Sequence, residues 1–160
     1  MKLIGTYTAR GIVSEAETAA GNPQKIPLFD GLFTTGFKIV DFRVWGTDWS
    51  SGTGPDLIGK LSKNDDGVVT QANFMRADDD NQIAWAVSQG STDAGGGPFN
   101  EGPIIDPDNL VVEDLYVYAR AANTTTTDPI NYLVVMEKYE IDDWQGALAM
   151  ARDRAQGDVS

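Results

Sequence analysis

The chain has 160 residues, a formal net charge of −12 and neither histidine nor cysteine, which excludes Ser-His-Asp and Cys-His nucleophile systems, disulfides, and zinc or iron sites with histidine or thiolate ligands. Residues 1–77 hold eight acidic and eight basic side chains, so the sixteen acidic and four basic side chains of residues 78–160 carry the whole charge. Because an acidic surface repels phosphate groups, this distribution argues against binding to nucleic acid or to anionic membranes.

Alternation of apolar and polar residues predicts strands along most of the chain. The first strand is expected at residues 4–13, and the second at residues 37–45, which are FKIVDFRVW. In the second strand, strict alternation places Lys38, Val40, Phe42 and Val44 on one face. This face is the better candidate for the core.

A β-hairpin is expected next in the sequence. Strands at residues 57–63 and 68–74 flank the sequence NDDG, in which Asp66 and Gly67 form the dipeptide that supplies positive φ for a tight hairpin turn. A short apolar strand is expected at residues 83–87, followed by a long glycine-rich loop.

The strongest strand patterns lie in the last third of the chain, at residues 111–119 and 130–141. The second of these is apolar on both faces from Leu133 to Met136. A strand of this kind is typical of the centre of a sheet, and we expect it to be covered on both sides.

A helix is expected from about residue 142 to about residue 155, where the apolar period changes. Asp142 or Asp143 can cap its N-terminus. Its apolar stripe consists of Trp144, Ala147, Leu148 and Ala151. Because the last strand ends so close to the helix, we expect this stripe to pack on the chain's own sheet, with docking onto a neighbouring subunit as the alternative.

About eight short strands with no helix between them predict a mainly β fold, an antiparallel two-sheet sandwich of jelly-roll type with one short C-terminal helix. No repeat or linker divides the chain, so residues 1–160 are expected to form a single β-sandwich domain. No catalytic or cofactor-binding residue is predicted. Chance pairs of acids are abundant among the sixteen of the second half, so a pair of acids is no argument for a glycosidase.

Three consecutive aspartates stand in front of an apolar run in RADDDNQIAW, residues 76–85. Aspartate and asparagine bond their own backbone two residues on, which favours a turn that leads into the next strand. The alternative is a calcium site built from two loops, because calcium accepts about six to eight oxygen ligands in flexible geometry. Its ligands would be Asp78, Asp80, Asp106 and Asp108.

Two tryptophans, Trp45 and Trp49, are expected where a strand runs into a loop. Residues of this kind more often close the end of a sandwich, and the alternatives are contact with a protein partner or stacking on sugar rings. The candidate partner contacts are Trp45, Trp49, Trp144 and Leu148.

Three segments in the second half carry a resemblance to a family. They are DNQIAWA at 80–86, DPDNLVVEDLYVYA at 106–119 and NYLVVMEKYEIDDWQGALAMARDRAQG at 131–157. In this order they resemble the C-terminal half of small uncharacterised structural proteins of bacteriophages. The resemblance implies a virion component of jelly-roll type, either a capsid decoration (cement) protein or a minor capsid protein, and it carries over no catalytic residue.

The expected function is that of a non-enzymatic virion structural protein that acts through oligomerisation and lattice binding. Its expected partners are itself, as a homo-oligomer such as a trimer, and a major capsid or other virion protein, and it would be made in the host cytoplasm. Neutral residues 1–77 would offer the contact surface. The alternative is a carbohydrate-binding module or viral adhesin domain that uses Trp45, Trp49 and the acidic loops with calcium.

Overall fold

The computed structural model describes residues 1–14, 22–47, 56–67, 69–70, 72–89, 99–100, 102–121 and 129–157. Its strands, in chain order, are β1 (Lys2–Ser14), β2 (Gln24–Ile26), β3 (Thr35–Gly46), β4 (Leu57–Ser62), β5 (Gln82–Gln89), β6 (Phe99–Asn100), β7 (Ile104–Ile105), β8 (Leu115–Ala121) and β9 (Pro129–Glu140). One helix, α1 (Asp143–Gly157), follows them.

The strands form two antiparallel sheets that pack face to face. The smaller sheet has three strands in the order β1-β9-β3. The larger sheet has six strands: five follow the order β2-β8-β4-β5-β6, and the sixth, β7, also pairs with β5. Alternate side chains of both sheets fill the space between them. This core includes Phe42, Val44, Val134 and Met136 from the smaller sheet and Leu61, Leu115 and Val117 from the larger. The predicted mainly β sandwich with one C-terminal helix is confirmed.

β9 occupies the centre of the smaller sheet, as its sequence predicts, because it pairs with β1 on one side and with β3 on the other. One of its faces is buried in the core. On the other face, Leu133 and Val135 remain partly exposed. The expected cover on both sides is therefore wrong, and the smaller sheet has an outer face with apolar side chains.

A β-bulge in β3 changes which of its residues face the core. The pairing of β3 with β9 shifts register between Ile39 and Asp41, so Val40 is an extra residue. The buried apolar side chains of β3 are Phe37, Ile39, Phe42 and Val44. Val40 is 44% exposed, and its predicted place on the core face is wrong because strict alternation cannot anticipate an inserted residue.

The predicted hairpin at residues 57–74 is wrong in its second strand. β4 pairs with β5 on one side and with β8 on the other, so both of its edges are used. Gly67 does have positive φ, at 63°, but the chain then crosses the outer face of the larger sheet, where Val69 and Phe74 pack against Tyr118. The Asp-Gly pair predicted a local backbone conformation correctly and the partner strand incorrectly.

The helix α1 has the predicted N-terminus and a slightly later end. The Asp142 Oδ1 atom accepts a hydrogen bond of 2.7 Å from the backbone N–H of Gln145, which is the bond of an N-cap residue. The helix ends at Gly157. Within the described ranges, no helix has the length and apolar character needed to cross a membrane.

The face by which α1 packs is the opposite of the expected one. The apolar stripe is exposed, with Trp144 and Leu148 among the most exposed large apolar side chains. The buried residues of the helix are Gly146, Met150 and Asp153. The interpretation that the stripe covers the chain's own sheet is therefore wrong.

Candidate partner-binding surface

The helix α1 presents an apolar stripe to solvent. Trp144 is 76% exposed and Leu148 is 58% exposed. Since successive helical residues are about 100° apart, both side chains lie roughly opposite the buried Gly146. We call Trp144, Ala147, Leu148 and Ala151 the outer stripe of α1. Large apolar side chains grouped on an exposed face are typical of protein-binding sites, and tryptophan is the residue most enriched among the energetically dominant contacts.

A close backbone contact fixes the first half of α1. A Cβ atom added at Gly146 would overlap the carbonyl oxygen of Phe33, so only glycine permits this approach. The backbone N–H of Ile141, just before the helix, donates to the carbonyl of Thr34 at 2.9 Å. The segment before β3 and the start of α1 are thus held against each other by contacts that do not involve the outer stripe.

Two ion pairs fix the second half of α1. Lys63 Nζ lies 2.5 Å from Asp153 Oδ1, with both side chains largely buried, and Arg154 Nη2 lies 3.0 Å from Glu113 Oε1 at the surface. Burial raises the pKa of Asp153, although the hydrogen bond and charge of Lys63 oppose this effect. Helix position is therefore set by contacts on its inner side, and the outer stripe stays available.

A loop beside α1 adds further exposed apolar side chains. Residues 27–34, the aromatic loop, expose Phe29, Leu32 and Phe33, and the rings of Phe29 and Phe33 are 5.5 Å apart. Its turn has Gly31 at φ 87° and a hydrogen bond of 2.9 Å from Leu32 N–H to Asp30 Oδ1. This loop is not among the predicted contacts, although FDGLF, residues 29–33, places apolar residues on both sides of an Asp-Gly turn.

Asp114 anchors the base of the aromatic loop. Its Oδ1 atom accepts hydrogen bonds from the backbone N–H groups of Leu28, at 3.0 Å, and Phe29, at 3.3 Å. Its Oδ2 atom lies 2.7 Å from Lys25 Nζ. Partial burial alone would raise the pKa of Asp114, but the hydrogen bonds and the charge of Lys25 outweigh it and lower the pKa.

A polar cleft of about 240 Å³ separates the aromatic loop from the end of β4. It is lined by Phe29, Lys63, Asn64, Asp65, Glu113, Asp114 and Tyr116. Its charged groups are already engaged, since Lys63 pairs with Asp153, and Asp114 and Glu113 pair with Lys25 and Arg154. The cleft therefore serves to hold the loop and the helix together.

The three consecutive aspartates form a turn, in agreement with the preferred interpretation. Asp79 accepts hydrogen bonds of 3.1 Å from the Asn81 N–H and from Gln82 Nε2. Asp78 is exposed and pairs with Arg76 at 2.5 Å, and the hydrogen bonds from Arg76 lower its pKa. These contacts direct the chain into β5.

Of the two segments proposed to share a calcium ion, the one with Asp106 and Asp108 contacts β5 just after the aspartate run. The Asp106 N–H donates to the carbonyl of Ile83 at 2.9 Å, and Asp106 Oδ1 accepts from the Asp108 N–H at 2.9 Å. Among the described residues, which include Asp78, Asp80, Asp106 and Asp108, no three acidic side chains are grouped closely enough to hold a metal ion. The calcium site stays a prediction that this geometry does not support.

The four predicted partner contacts do not form one surface. β3 starts beside α1 and ends where Trp45 pairs with Asn131, roughly 30 Å away along the strand. Trp45 is partly buried on the outer face of the smaller sheet, and Trp49 lies outside the described residues. Of the three that the structure describes, Trp144 and Leu148 lie together on α1, and Trp45 lies apart from them.

The buried side chain of Lys60 belongs to a network of charged and polar groups that includes two aspartates and a tyrosine. Its Nζ atom lies 2.7 Å from Asp66 Oδ2 and 4.8 Å from the ring centre of Tyr118. The Tyr118 hydroxyl donates to Asp65 Oδ1 at 3.1 Å and accepts from the Asp66 N–H at 2.7 Å, and burial raises its pKa. Because Lys60 is only 1% exposed, the network fixes the segment after β4 and is closed to an external substrate.

No family model matches the sequence, and a search of curated proteins finds no match. The resemblance of the second half to structural proteins of phages therefore stays a prediction.

Proposed function

We propose that the chain is a non-enzymatic structural protein of a phage virion, a capsid decoration or minor capsid protein that binds the particle through the outer stripe of α1. The observation that carries this proposal is the exposure of Trp144 and Leu148 on the helix face that its own packing does not use. A tryptophan that becomes buried on binding contributes strongly to protein association, whereas Trp144 leaves most of its surface in solvent in this fold.

The rigidity of the helix supports the proposal. A close backbone contact at Gly146 and the ion pairs of Asp153 and Arg154 hold the helix from its inner side. The outer stripe is therefore fixed before a partner arrives, which reduces the entropy lost on binding.

The distribution of exposed apolar side chains also supports a protein that works through contacts. Among the described residues, nine of the twelve exposed large apolar side chains belong to residues 1–77, the half in which acidic and basic charges cancel. They are Met1, Leu3, Ile4, Tyr7, Ile12, Phe29, Leu32, Phe33 and Val40. An apolar surface in a half without net charge meets little electrostatic repulsion from a charged partner.

The first experiment asks whether the chain belongs to a particle. Particles of the phage that encodes the chain are purified and their proteins are quantified by mass spectrometry, and the purified protein is added back to particles from a strain that lacks its coding sequence. We expect a fixed copy number in the first case and saturable cosedimentation in the second. Absence from the particles together with failure to bind them would overturn the proposal.

The second experiment tests the stripe. Trp144→Glu and Leu148→Glu should each weaken binding to particles by at least about tenfold, because a central apolar contact is worth about 2 kcal/mol or more. Gln145→Glu is the matched control, since it adds the same charge to an exposed neighbour. Unchanged binding by both stripe variants, with normal thermal unfolding, would rule out the outer stripe as the binding surface.

A further inference from the structure

β1 is a long edge strand of the smaller sheet, and no other described strand pairs with its outer edge. It has 13 residues, contains no proline, and pairs with β9 alone in the described part of the chain. Its exposed apolar side chains are Leu3, Ile4, Tyr7 and Ile12. An edge of this length carries a row of backbone N–H and C=O groups that can pair with another strand, and natural proteins usually protect such edges.

The other edges of the sandwich are protected. In the larger sheet the edge strands are β2 and β6, with three and two residues. In the smaller sheet β3 is covered near its start, because Phe37 exchanges two backbone hydrogen bonds of 2.8 Å with Val111 and Ile39 N–H donates to Asn109 Oδ1 at 2.7 Å. The bulge at Val40 then interrupts it. β1 also has a bulge, but it lies near the start of the strand, at Ile4. Among the described strands, β1 alone combines a long regular stretch with an edge that pairs with no other described strand.

The sequence of β1 is self-complementary for antiparallel pairing. In GTYTARG, residues 5–11, a two-fold axis through Thr8 places Gly5 opposite Gly11 and Thr6 opposite Arg10. This segment follows a β-bulge, because the pairing of β1 with β9 shifts register between Leu3 and Gly5 and leaves Ile4 as an extra residue. The same axis places Thr8 opposite its own copy, where two threonines form a favourable cross-strand pair. A second copy of β1 therefore fits this edge over residues 5–11, on the C-terminal side of the bulge.

Charge favours the same register. Arg10 is exposed and has no ion-pair partner within the described residues. It lies on the outer face of the smaller sheet. On the same face, Thr6 of β1 pairs with Glu137 of β9. The axis through Thr8 places Arg10 of one copy opposite Thr6 of the other. Arg10 then lies about 10 Å, two strand spacings, from Glu137 of that copy, so the two long side chains can meet over the small threonine.

We propose that two copies of this chain pair antiparallel through β1, with the two-fold axis at Thr8, so that their smaller sheets join into one continuous six-stranded sheet. The interface is isologous, which closes the assembly at two copies. The biological role of this pairing rests on the proposed function, for which it would supply the oligomerisation step. The pairing uses a surface separate from the outer stripe of α1.

The test uses the full chain alone in solution. Sedimentation velocity and light scattering should give a mass near twice the 17.3 kDa of one chain. Thr8→Lys should raise the dimer dissociation constant at least about tenfold, because it sets two ammonium groups against each other across the axis. Val40→Lys, which adds the same charge to the exposed bulge of β3, should leave the mass unchanged.

A cysteine variant provides a second, independent readout. The chain has no cysteine, so Thr8→Cys introduces a single thiol. Directly opposite residues of an antiparallel pair have Cα atoms about 4.5–5.5 Å apart, which suits a disulfide. Mild oxidation should therefore give a reducible covalent dimer, whereas Val40→Cys should give none.

Several outcomes would overturn this inference. They are a monomeric wild-type chain across the concentration series, a mass of three chains, a dimer that Thr8→Lys leaves intact, a dimer that Val40→Lys dissociates, and a dimer in which Thr8→Cys does not cross-link. A dimer that is absent from the particles and fails to bind them would refute the proposed function and leave the pairing standing. A monomer that binds particles would do the reverse.

Discussion

At the scale of single residues, Asp114 shows how one carboxylate can position a surface loop. It accepts two backbone hydrogen bonds from the start of the aromatic loop and pairs with Lys25. The folded protein holds its pKa below the usual value, which is about 3.9 in an unfolded chain. This stabilisation is therefore fully present above about pH 4 and is lost as the pH falls through the lower folded pKa.

Asp114→Asn should therefore destabilise the protein in a pH-dependent way. At neutral pH we expect a loss of about 1–2 kcal/mol in the free energy of unfolding, because hydrogen bonds to a charged group are replaced by weaker ones. The difference from the wild type should shrink as the pH is lowered below about 4. Urea unfolding at a series of pH values measures it.

The control for this prediction is Asp80→Asn, which makes the same change of charge at an exposed side chain. It should change the free energy of unfolding by no more than about 0.5 kcal/mol at any pH. Equal effects of the two variants would mean that net charge, and not the anchoring of the aromatic loop, is responsible.

At the scale of elements, the position of α1 against the loop before β3 depends on Gly146. Alanine in a helix interior is ordinarily favoured over glycine by about 1 kcal/mol. Here the added methyl group would overlap the backbone of Phe33, so we expect Gly146→Ala to lower the free energy of unfolding by about 1–3 kcal/mol instead. Thermal unfolding followed by circular dichroism measures the change.

Gly102→Ala is the matched control for that substitution, because a Cβ atom there meets nothing within 4 Å. It should leave the unfolding temperature nearly unchanged. If Gly146→Ala instead raised the unfolding temperature, helix propensity would outweigh the contact, and the helix would not be held against the loop as described.

The elements also show what a single sequence can predict. The period of two predicted β3 and β9 because half-buried strands alternate, and Asp142 predicted the start of α1 because the N-cap bond is local. The bulge at Val40 could not be predicted, since it depends on the pairing with β9. Neither could the partners of β4, which are set by packing across the whole sandwich.

The candidate surface was predicted only in part, for a related reason. Helical spacing correctly grouped Trp144 with Leu148, but an apolar stripe does not reveal whether it faces the chain's own core. The orientation of the helix is set by Gly146, whose missing side chain permits the close approach of Phe33, and by the ion pair of Asp153 with Lys63. Both depend on residues distant in the sequence.

At the scale of the whole molecule, the net charge of −12 acts against compactness. The surface ion pairs, such as Lys25 with Asp114 and Arg154 with Glu113, contribute little individually. The largely buried pairs of Lys60 and Lys63 with their aspartates are screened weakly by salt. Repulsion among the excess carboxylates of the second half is thus the electrostatic contribution most sensitive to ionic strength.

Added salt should accordingly stabilise this protein. Raising NaCl from about 0.01 M to about 0.5 M shortens the screening length from about 30 Å to a few ångströms, and we expect the unfolding temperature to rise by a few degrees. Asp80→Lys, which changes the net charge from −12 to −10, should raise the unfolding temperature in low salt and respond less to NaCl. If salt lowered the unfolding temperature, attraction within the ion pairs would exceed repulsion across the acidic half, and the acidic surface would have to be regarded as a stabilising network.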